Sequence, residues 1–177
     1  MNIFGYNRIM IVGNNGSGKS FLAKKLAVIA GLPLFHLDIE FWRPNWEMPS
    51  KDEWKKRNLE LISKEKWIID GNVNHGDTME LRFKAADLII FLDINCFICL
   101  ASVVKRNGKK RSDTLQYNDE KFNKDFFNFC KGIWNYSKTR KHTMINLHKK
   151  YLDKSFFIID SRRKTNKLLS QWKDEKN

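Results

Sequence analysis

Residues 13–20 constrain the fold of this chain more than any other segment. They read GNNGSGKS, they follow the apolar run RIMIV at residues 8–12, and they open a helix-favouring stretch that extends to Ala30. Glycines allow a backbone to fold around a phosphate with its N–H groups pointing inward, and the N-terminus of the following helix adds partial positive charge. The segment therefore predicts a phosphate-binding loop between the first strand and the first helix of an α/β fold.

Two side chains of this loop have the chemistry that a bound nucleoside triphosphate requires. Lys19 would reach the terminal phosphates and take part in catalysis, and the hydroxyl of Ser20 would bind Mg²⁺. The other expected nucleotide contacts come from the loop and from the residue after it: Gly13, Asn14, Asn15, Gly16, Ser17, Gly18 and Phe21. ATP and Mg²⁺ are therefore the expected ligands.

Five short apolar runs set the expected architecture. Helix-favouring segments separate these runs, which occupy residues 8–12, 33–37, 67–69, 88–92 and 156–159. Continuous apolar runs of this length are typical of strands that are buried on both faces of a parallel sheet. The 177 residues are therefore expected to form one α/β domain in three layers, α/β/α.

Capping signals predict where several helices begin and end. Gly31 is expected to end the first helix, because a glycine readily adopts the left-handed conformation of a C-terminal cap. Ser50 and Glu53 have the spacing of a capping box, and the helix that they open is expected to end near Lys66. Residues 96–106 are expected to form a further helix.

Positive charge is concentrated in one part of the chain. The formal net charge is +13, and residues 105–150 contain 13 Lys or Arg against 4 Asp or Glu. Such an excess favours an anionic partner. We expect residues of about 105–150 to form a basic lid and helical region, and residues of about 39–66 to form an insertion at the acceptor site. The expected partners are ATP and an anionic small-molecule acceptor, with nucleic acid as an alternative.

Membrane and redox classes are not favoured by the sequence. No apolar stretch reaches the roughly 18 residues that a membrane span requires, and the N-terminus lacks the pattern of a signal peptide. A cytoplasmic protein is therefore expected. Cys96 and Cys99 form a C-x-x-C in an apolar helix-favouring stretch, where we interpret them as core residues.

Three aspartates close apolar runs at the expected carboxyl edge of the sheet, where open α/β sheets bind ligands. Asp38 follows PLFHL and Asp70 follows WII, and either could organise the water shell of Mg²⁺. Asp38 could alternatively take a proton from the acceptor hydroxyl. For Asp93 we expect a helix-capping or structural role, because a helix begins soon after it.

Phosphoryl transfer also requires positive groups over the transferring phosphate. Arg106 and Arg140 are the candidates for this catalytic role, and Arg106 is also expected to contact the nucleotide. Arg82, shortly before the fourth run, is a further candidate. Basic residues also lie on the far side of Gly108, which could be the hinge of a closing lid: Lys109, Lys110 and Arg111.

The segment between the second and third runs is rich in large aromatic side chains. Trp42 and Trp46 flank Arg43, and they could form a stacking wall for an acceptor or the core of the insertion. His36 and His75 have no metal-ligand spacing, so we interpret both as structural.

The ordered motifs of the chain resemble one family. Besides the GNNGSGKS loop they comprise HLD, WIIDGN, an arginine before ADLIIFLD, a basic stretch after it, and IIDSRR at the last run. This set is similar to the adenylate-kinase-related P-loop proteins labelled DNA topology modulation proteins, or FlaR-like, over nearly the whole chain. The resemblance implies a P-loop nucleoside-kinase type of fold, with a five-stranded parallel sheet in the order 2-3-1-4-5 and a helical lid.

The resemblance also implies roles for particular residues. It implies that Asp70 lies beside the loop and serves the metal, that Arg106 lies at the lid, and that Ser161, Arg162 and Arg163 lie near the adenine. The adenylate kinases proper continue their Asp-Gly with Phe-Pro-Arg, whereas residues 72–74 here are Asn-Val-Asn. The acceptor-binding arginine of that pattern is therefore missing.

Two functional hypotheses follow from these observations. The leading one is an ATP-dependent kinase that transfers the terminal phosphate to a small acceptor, for which a nucleotide or a nucleoside is a candidate. The alternative is a nucleotide-switched regulator that binds nucleic acid through the basic region and has little or no kinase activity. A P-loop protein that only hydrolyses ATP is less favoured, because the sequence offers no obvious activating glutamine.

Overall fold

The computed structural model describes residues 2–107 and 124–176, which fold around a five-stranded parallel sheet. The strands lie in the order β2-β3-β1-β4-β5, which confirms the expected topology. Their bounds are Arg8–Gly13 (β1), Leu34–His36 (β2), Trp67–Asp70 (β3), Leu88–Leu92 (β4) and Ser155–Ile159 (β5).

Seven α-helices are found among the described residues, together with two short 3₁₀ turns at Pro44–Trp46 and His75–Asp77. The helices are Lys19–Ala30 (α1), Leu37–Phe41 (α2), Lys51–Ile62 (α3), Thr78–Ala85 (α4), Cys96–Arg106 (α5), Lys124–Lys150 (α6) and Arg162–Lys176 (α7). None of the helices in residues 2–107 and 124–176 has both the length and the apolar character needed to cross a membrane.

The sheet is covered by helices on both faces, as the three-layer prediction requires. Ile9 and Ile11 of β1 belong to a core that includes side chains of α1, α5 and α7. Met10 and Val12 alternate with them and belong to a second core, which includes side chains of α3 and α4. α6 contributes to both cores, because Phe126 and Ile133 belong to the former and the residues from Tyr136 to Leu147 that are buried belong to the latter.

The strand register brings the phosphate-binding loop next to the ends of the neighbouring strands. Ile11, two residues before the loop begins, is level with Asp70 of β3, and His36 of β2 is level with the same aspartate. On the other side, Gly13 is level with Leu92 at the end of β4. The carboxyl ends of four strands therefore meet around residues 13–20.

Several helix boundaries agree with the capping signals. Gly31 ends α1 in the left-handed conformation, with φ of 67°. Ser50 and Glu53 form the capping box of α3, in which each side chain accepts a hydrogen bond from the other residue's backbone N–H. α3 ends at Ile62, earlier than expected, because the residues after it turn directly into β3.

One other expectation was wrong, and another was met in only one of its two forms. The edge strands β2 and β5 are mostly half-buried, since each has a single neighbouring strand in the sheet. The N-cap of α5 is Asn95, whose side chain accepts from the backbone N–H of Phe97, and Asp93 instead pairs with Lys141 of α6 at 2.5 Å. The structural role expected for Asp93 is therefore met by an ion pair. The basic residues 109–111 lie outside the described residues.

Candidate functional site

A cavity of about 240 Å³ opens at the carboxyl edge of the sheet, over the N-terminus of α1. It is lined by the phosphate-binding loop, α2, α5 and the start of α7: Asn15, Gly16, Gly18, Lys19, Ser20, Phe21, Asp38, Ser102, Arg106 and Arg162. All but Ser102 are expected site residues, drawn together from four segments of the chain. A broader depression of about 710 Å³ is lined by α7 alone and lies away from these groups.

Lys19 lies at the centre of the charges around the cavity. Its side chain is buried, and Nζ donates a hydrogen bond to the carbonyl oxygen of Asn14 at 3.0 Å. Burial lowers the pKa of the Lys19 ammonium below its ordinary value, and nearby Arg106 acts in the same direction, whereas the carboxylates of Asp70 and Asp38 oppose the change. The lysine is thus close to both carboxylates and to the arginine that the sequence selected.

Two glycines give the loop its shape. Gly16 and Gly18 have φ of +81° and +98°, values that side-chain-bearing residues rarely adopt. A Cβ on Gly16 would lie 3.0 Å from the carbonyl carbon of Cys99 in α5 and still closer to its oxygen. The loop therefore packs directly against the backbone of α5.

Side chains of the loop connect it to α6. Asn14 is buried, and its Nδ2 donates to the carbonyl oxygen of Ile133 at 2.8 Å, while its Oδ1 accepts from the N–H of Asn15 at 2.8 Å. Ser17 is also buried, and its backbone N–H donates to the carbonyl oxygen of Asn14 at 3.1 Å. Neither side chain lines the cavity, so Asn14 and Ser17 are placed where they shape the loop.

Asn72 holds the beginning of the loop, a contact that the sequence did not reveal. Its side-chain Oδ1 accepts from the backbone N–H of Gly13 at 3.1 Å, and its Nδ2 donates to the carbonyl oxygen of the same residue. This pair of bonds continues the β1–β3 ladder after the main chain of β3 has turned away. The available signal was an amide residue directly after the Asp-Gly at the end of a strand beside the loop.

The two candidate carboxylates have different surroundings. Asp38 lies in the first turn of α2, is exposed and lines the cavity. Asp70 is only 4% exposed, and its Oδ2 lies 2.9 Å from Nδ1 of His36. Its other oxygen, Oδ1, is buried and has no hydrogen-bond partner among the described residues. His36 therefore belongs to the site's surroundings, although the sequence marked it only as structural.

The residues expected to hold Mg²⁺ fit that ion. Mg²⁺ prefers oxygen ligands and usually keeps several waters, so it is bound through one or two side chains and the phosphates of the nucleotide. Ser20 lines the cavity, and the buried Asp70 Oδ1 is an acceptor that lacks a partner in the described residues. The described residues contain no cluster of three or more His, Cys, Asp or Glu side chains that could hold a metal without a nucleotide.

Of the arginines Arg106, Arg140 and Arg162, two line the cavity and one does not. Arg106 and Arg162 line the cavity, and Nη2 of Arg162 donates to the carbonyl oxygen of Gly16 at 3.3 Å and to the hydroxyl of Ser102. Arg140 does not line it; its Nη1 donates to the carbonyl oxygen of Asn72 at 2.8 Å. The guanidinium of Arg140, a residue of α6, therefore lies at the end of β3, next to the Asn72 side chain that holds Gly13.

Arg82 lies apart from the cavity and is fully buried between α3 and α4. It donates hydrogen bonds to the side chains of Asn58 and Thr78 and to the carbonyl oxygen of Val73 at 2.5 Å. Burial lowers the pKa of its guanidinium to about 9. The position of Arg82 indicates that it holds the segment after β3 in place.

The aromatic residues of the 39–66 region form a packed cluster with one exposed member. Phe41 is buried and contacts the rings of Trp42, Trp54 and His75 edge-on, with centroids 4.9 to 5.6 Å apart. Trp46 is exposed and meets Trp42 at 5.4 Å. Most of the cluster is therefore core of the 39–66 region, the second of the two interpretations left open by the sequence.

The fold is similar to those of solved kinase structures. Shikimate kinase from Bacteroides thetaiotaomicron matches with a TM-score of 0.57 and 15% identity, over 96% of this chain and 98% of that one. Shikimate kinase from Acinetobacter baumannii, solved with shikimate, matches with a TM-score of 0.57 and 15% identity, over 93% of this chain and 89% of that one. A gluconokinase from Sinorhizobium meliloti 1021 matches with a TM-score of 0.52 and 13% identity, over 96% of this chain and 94% of that one.

The chain has a P-loop kinase-type α/β fold. Identities of 13–15% establish the fold alone. No protein-family model matches the sequence, and no curated protein gives a significant match. The resemblance to the DNA topology modulation proteins thus rests on the motifs quoted from the sequence.

Proposed function

We propose that this chain is an ATP- and Mg²⁺-dependent kinase that transfers the terminal phosphate of ATP to a hydroxyl group of a small acceptor, with nucleosides and nucleotides as candidate acceptors. One observation carries the proposal: the carboxylate residue Asp38 lines the same cavity as Lys19 and Arg106, the cations that would bind the phosphates. A phosphate loop alone would serve any nucleotide-binding protein. A carboxylate at the same cavity adds a group that can receive the acceptor's proton.

The chain's own residues can support each part of an in-line transfer. The backbone N–H groups of residues 13–20 and Lys19 bind the β- and γ-phosphates. As the acceptor oxygen forms its bond to the γ-phosphorus and the bond from that phosphorus to the β-phosphate oxygen breaks, the hydroxyl proton passes to the carboxylate of Asp38. ADP and the phosphorylated acceptor leave, and the proton returns to solvent.

The positive groups have complementary tasks. Arg106 lies close enough to lower the pKa of Lys19, so the two cations share one region of the cavity and would both face the charge that spreads over the phosphate oxygens. Arg162, at the start of α7, would contact the nucleotide. Arg140 would act from the end of β3, on the acceptor side. Ser20 and Asp70 would hold Mg²⁺, which supplies neutralisation of the phosphate charge when it is bound.

ATP consumption with Mg²⁺ across a panel of nucleosides, nucleoside monophosphates and small hydroxylated metabolites tests this proposal. Replacing Lys19 with Ala is expected to lower acceptor-dependent turnover by about 10²–10³-fold, as for other positioned charges at a transition state. The matched control is Lys25→Ala, an exposed lysine of the same helix, which is expected to keep wild-type turnover. Undiminished turnover in the Lys19 variant would contradict the assignment.

The alternative function, a nucleotide-switched regulator that binds nucleic acid, is favoured by the exposed face of α6. Lys131, Lys138, His142 and Lys149 are all exposed, and their spacing of 7, 4 and 7 residues aligns them along one side of the helix. If this face binds a phosphate backbone, DNA affinity should fall steeply with added salt, and Lys138→Glu should weaken it. ATP binding without acceptor-dependent turnover, combined with such DNA binding, would favour this alternative.

A further inference from the structure

His36 and Asp70 form a contact that the proposed chemistry has not yet used. They are the last residues of β2 and β3, and they are level with each other in the sheet. Nδ1 of His36 lies 2.9 Å from Oδ2 of Asp70. Only 12% of the histidine side chain and 4% of the aspartate side chain are exposed. A carboxylate this buried requires partners for its oxygens.

The backbone of Asp70 is fixed by its neighbours. The N–H of Gly71 donates to the carbonyl oxygen of Ile11 at 3.1 Å, and the next side chain, Asn72, binds Gly13 at the start of the loop. The main chain on the carboxyl side of Asp70 is therefore tied to β1. The carboxylate can still rotate about its side-chain bonds. A hydrogen bond from His36 restricts this rotation.

The two oxygens of the Asp70 carboxylate differ in their hydrogen-bond partners. Oδ2 faces the imidazole, whereas Oδ1 is buried without a hydrogen-bond partner among the described residues. Asp70 is also the foremost of the charges that oppose the lowered pKa of Lys19, which shows that its carboxylate is electrostatically close to the phosphate-binding lysine. An unpaired buried acceptor beside that lysine is suited to a water of the magnesium shell.

We propose that His36 is a positioning residue that binds Asp70 Oδ2 and thereby presents Oδ1 to the hydrated metal of the ATP complex. This inference rests on the proposed binding of ATP and Mg²⁺ and extends it. Two residues of the HLD motif, His36 and Asp38, then have separate roles in the site. His36 orients the carboxylate of the neighbouring strand, and Asp38, the second residue of α2, lines the cavity.

The test compares two replacements of His36 that differ in their hydrogen-bonding ability. His36→Asn keeps a side-chain N–H donor close to the position of Nδ1, whereas His36→Leu keeps apolar bulk and loses the donor. The readout is Mn²⁺ binding in the presence of ATP, measured by electron paramagnetic resonance, together with metal-free ATP binding by calorimetry. Neither measurement needs an acceptor or turnover.

His36→Leu is expected to weaken Mn²⁺ binding in the ATP complex by about 10–100-fold, the usual effect of removing a group that orients a metal ligand. His36→Asn is expected to stay within about threefold of wild type, because it retains the donor. Metal-free ATP affinity is expected to be unchanged in both. On an Asp70→Asn background, His36→Leu is expected to cause no further loss, since the carboxylate that it orients is gone.

Several outcomes would overturn the inference. These are wild-type Mn²⁺ affinity in a folded His36→Leu protein, equal losses in the Leu and Asn variants, or an undiminished effect of His36→Leu on the Asp70→Asn background. His36→Ala replaces the leucine variant if the latter does not fold, as judged by circular dichroism. If wild-type protein binds Mn²⁺ with ATP but phosphorylates no acceptor, the kinase proposal fails and this inference stands; if ATP binding is indifferent to metal, this inference fails.

Discussion

The close contact between the phosphate-binding loop and α5 leads to a prediction with a built-in control. Gly16 and Gly18 both have positive φ, +81° and +98°, so an alanine at either position is forced into an unfavourable backbone conformation. They differ in what a new Cβ would meet. At Gly16 it would lie 3.0 Å from the carbonyl carbon of Cys99, whereas at Gly18 nothing lies within 4 Å. The pair therefore separates backbone strain from steric overlap.

The expected magnitudes follow from these two terms. Backbone strain of a non-glycine residue at positive φ costs about 1–3 kcal/mol, and both variants bear it. Gly16→Ala also overlaps backbone atoms of α5, which cannot rotate away, so relief requires the loop and the helix to separate. Overpacking of this kind costs about 1–3 kcal/mol, and the Gly16 variant should be less stable than the Gly18 variant by that amount.

Urea unfolding of the nucleotide-free proteins, followed by far-ultraviolet circular dichroism, measures the difference. A larger loss of unfolding free energy for Gly16→Ala, at similar urea dependence, would support the reasoning. Equal losses in the two variants would refute it, because they would show that the loop and α5 move apart at negligible cost. Gly16→Ala should also weaken ATP binding through Ser102 and Arg106, the residues of α5 that line the cavity.

Three further predictions concern individual contacts. Asn72→Asp keeps the acceptor for the N–H of Gly13 but places a carboxylate against the carbonyl oxygen of Gly13. The free energy of unfolding, measured by urea titration, should therefore fall by about 1–3 kcal/mol. An unchanged value would contradict the two-bond contact between Asn72 and Gly13. Cys99 is buried, and burial raises the pKa of its thiol to about 11. After iodoacetamide treatment at pH 8, mass spectrometry should therefore find Cys99 unlabelled in the folded protein and labelled in urea. Rapid labelling of the folded protein would contradict this packing. Hydrogen bonds with Ser50, the backbone one having the larger effect and the side-chain one the next, lower the pKa of Glu53 to about 2. A carboxyl group whose pKa is lowered by folding stabilises the fold above its unfolded pKa, so the stabilisation by Glu53 is lost as the pH falls from about 4.5 to 2. Thermal unfolding should therefore show wild type more stable than Glu53→Gln at pH 7 and equal to it near pH 2, and a gap that persists at pH 2 would argue against the capping contact.

The elements of the fold were predictable where the signal is local. The α5 bounds were correct because an apolar stretch ends at Asn107-Gly108, and the capping box of α3 was correct because both partners lie within four residues. Which residue caps α5 was not resolved, since Asp93 and Asn95 are both suitable cap types within three residues of its start. Asn95 has the position from which a side chain reaches the N–H of Phe97.

All the residues that line the cavity except Ser102 were also predictable from the sequence, because few residue types can bind phosphate or take a proton. The contacts that hold them were not. Asn72 and Gly13 are 59 residues apart, and His36 and Asp70 are 34 apart. Such pairs meet only after the order and register of the strands are known, and asparagine and histidine are common residues with many other uses.

The arginines near the proposed acceptor side show why position alone does not decide a role. Arg43 donates to Glu53 at 3.1 Å and Arg57 to Glu40 at 2.7 Å, so both side chains are paired with carboxylates of the 39–66 region. Arg140 instead donates to a main-chain carbonyl, that of Asn72, which orients the guanidinium without cancelling its charge. Because a neutral acceptor fixes it at the end of β3, Arg140 keeps its full charge for an anionic group at that edge of the sheet. Among these three arginines, Arg140 is therefore the one whose surroundings favour a role in binding the acceptor or the transferred phosphate.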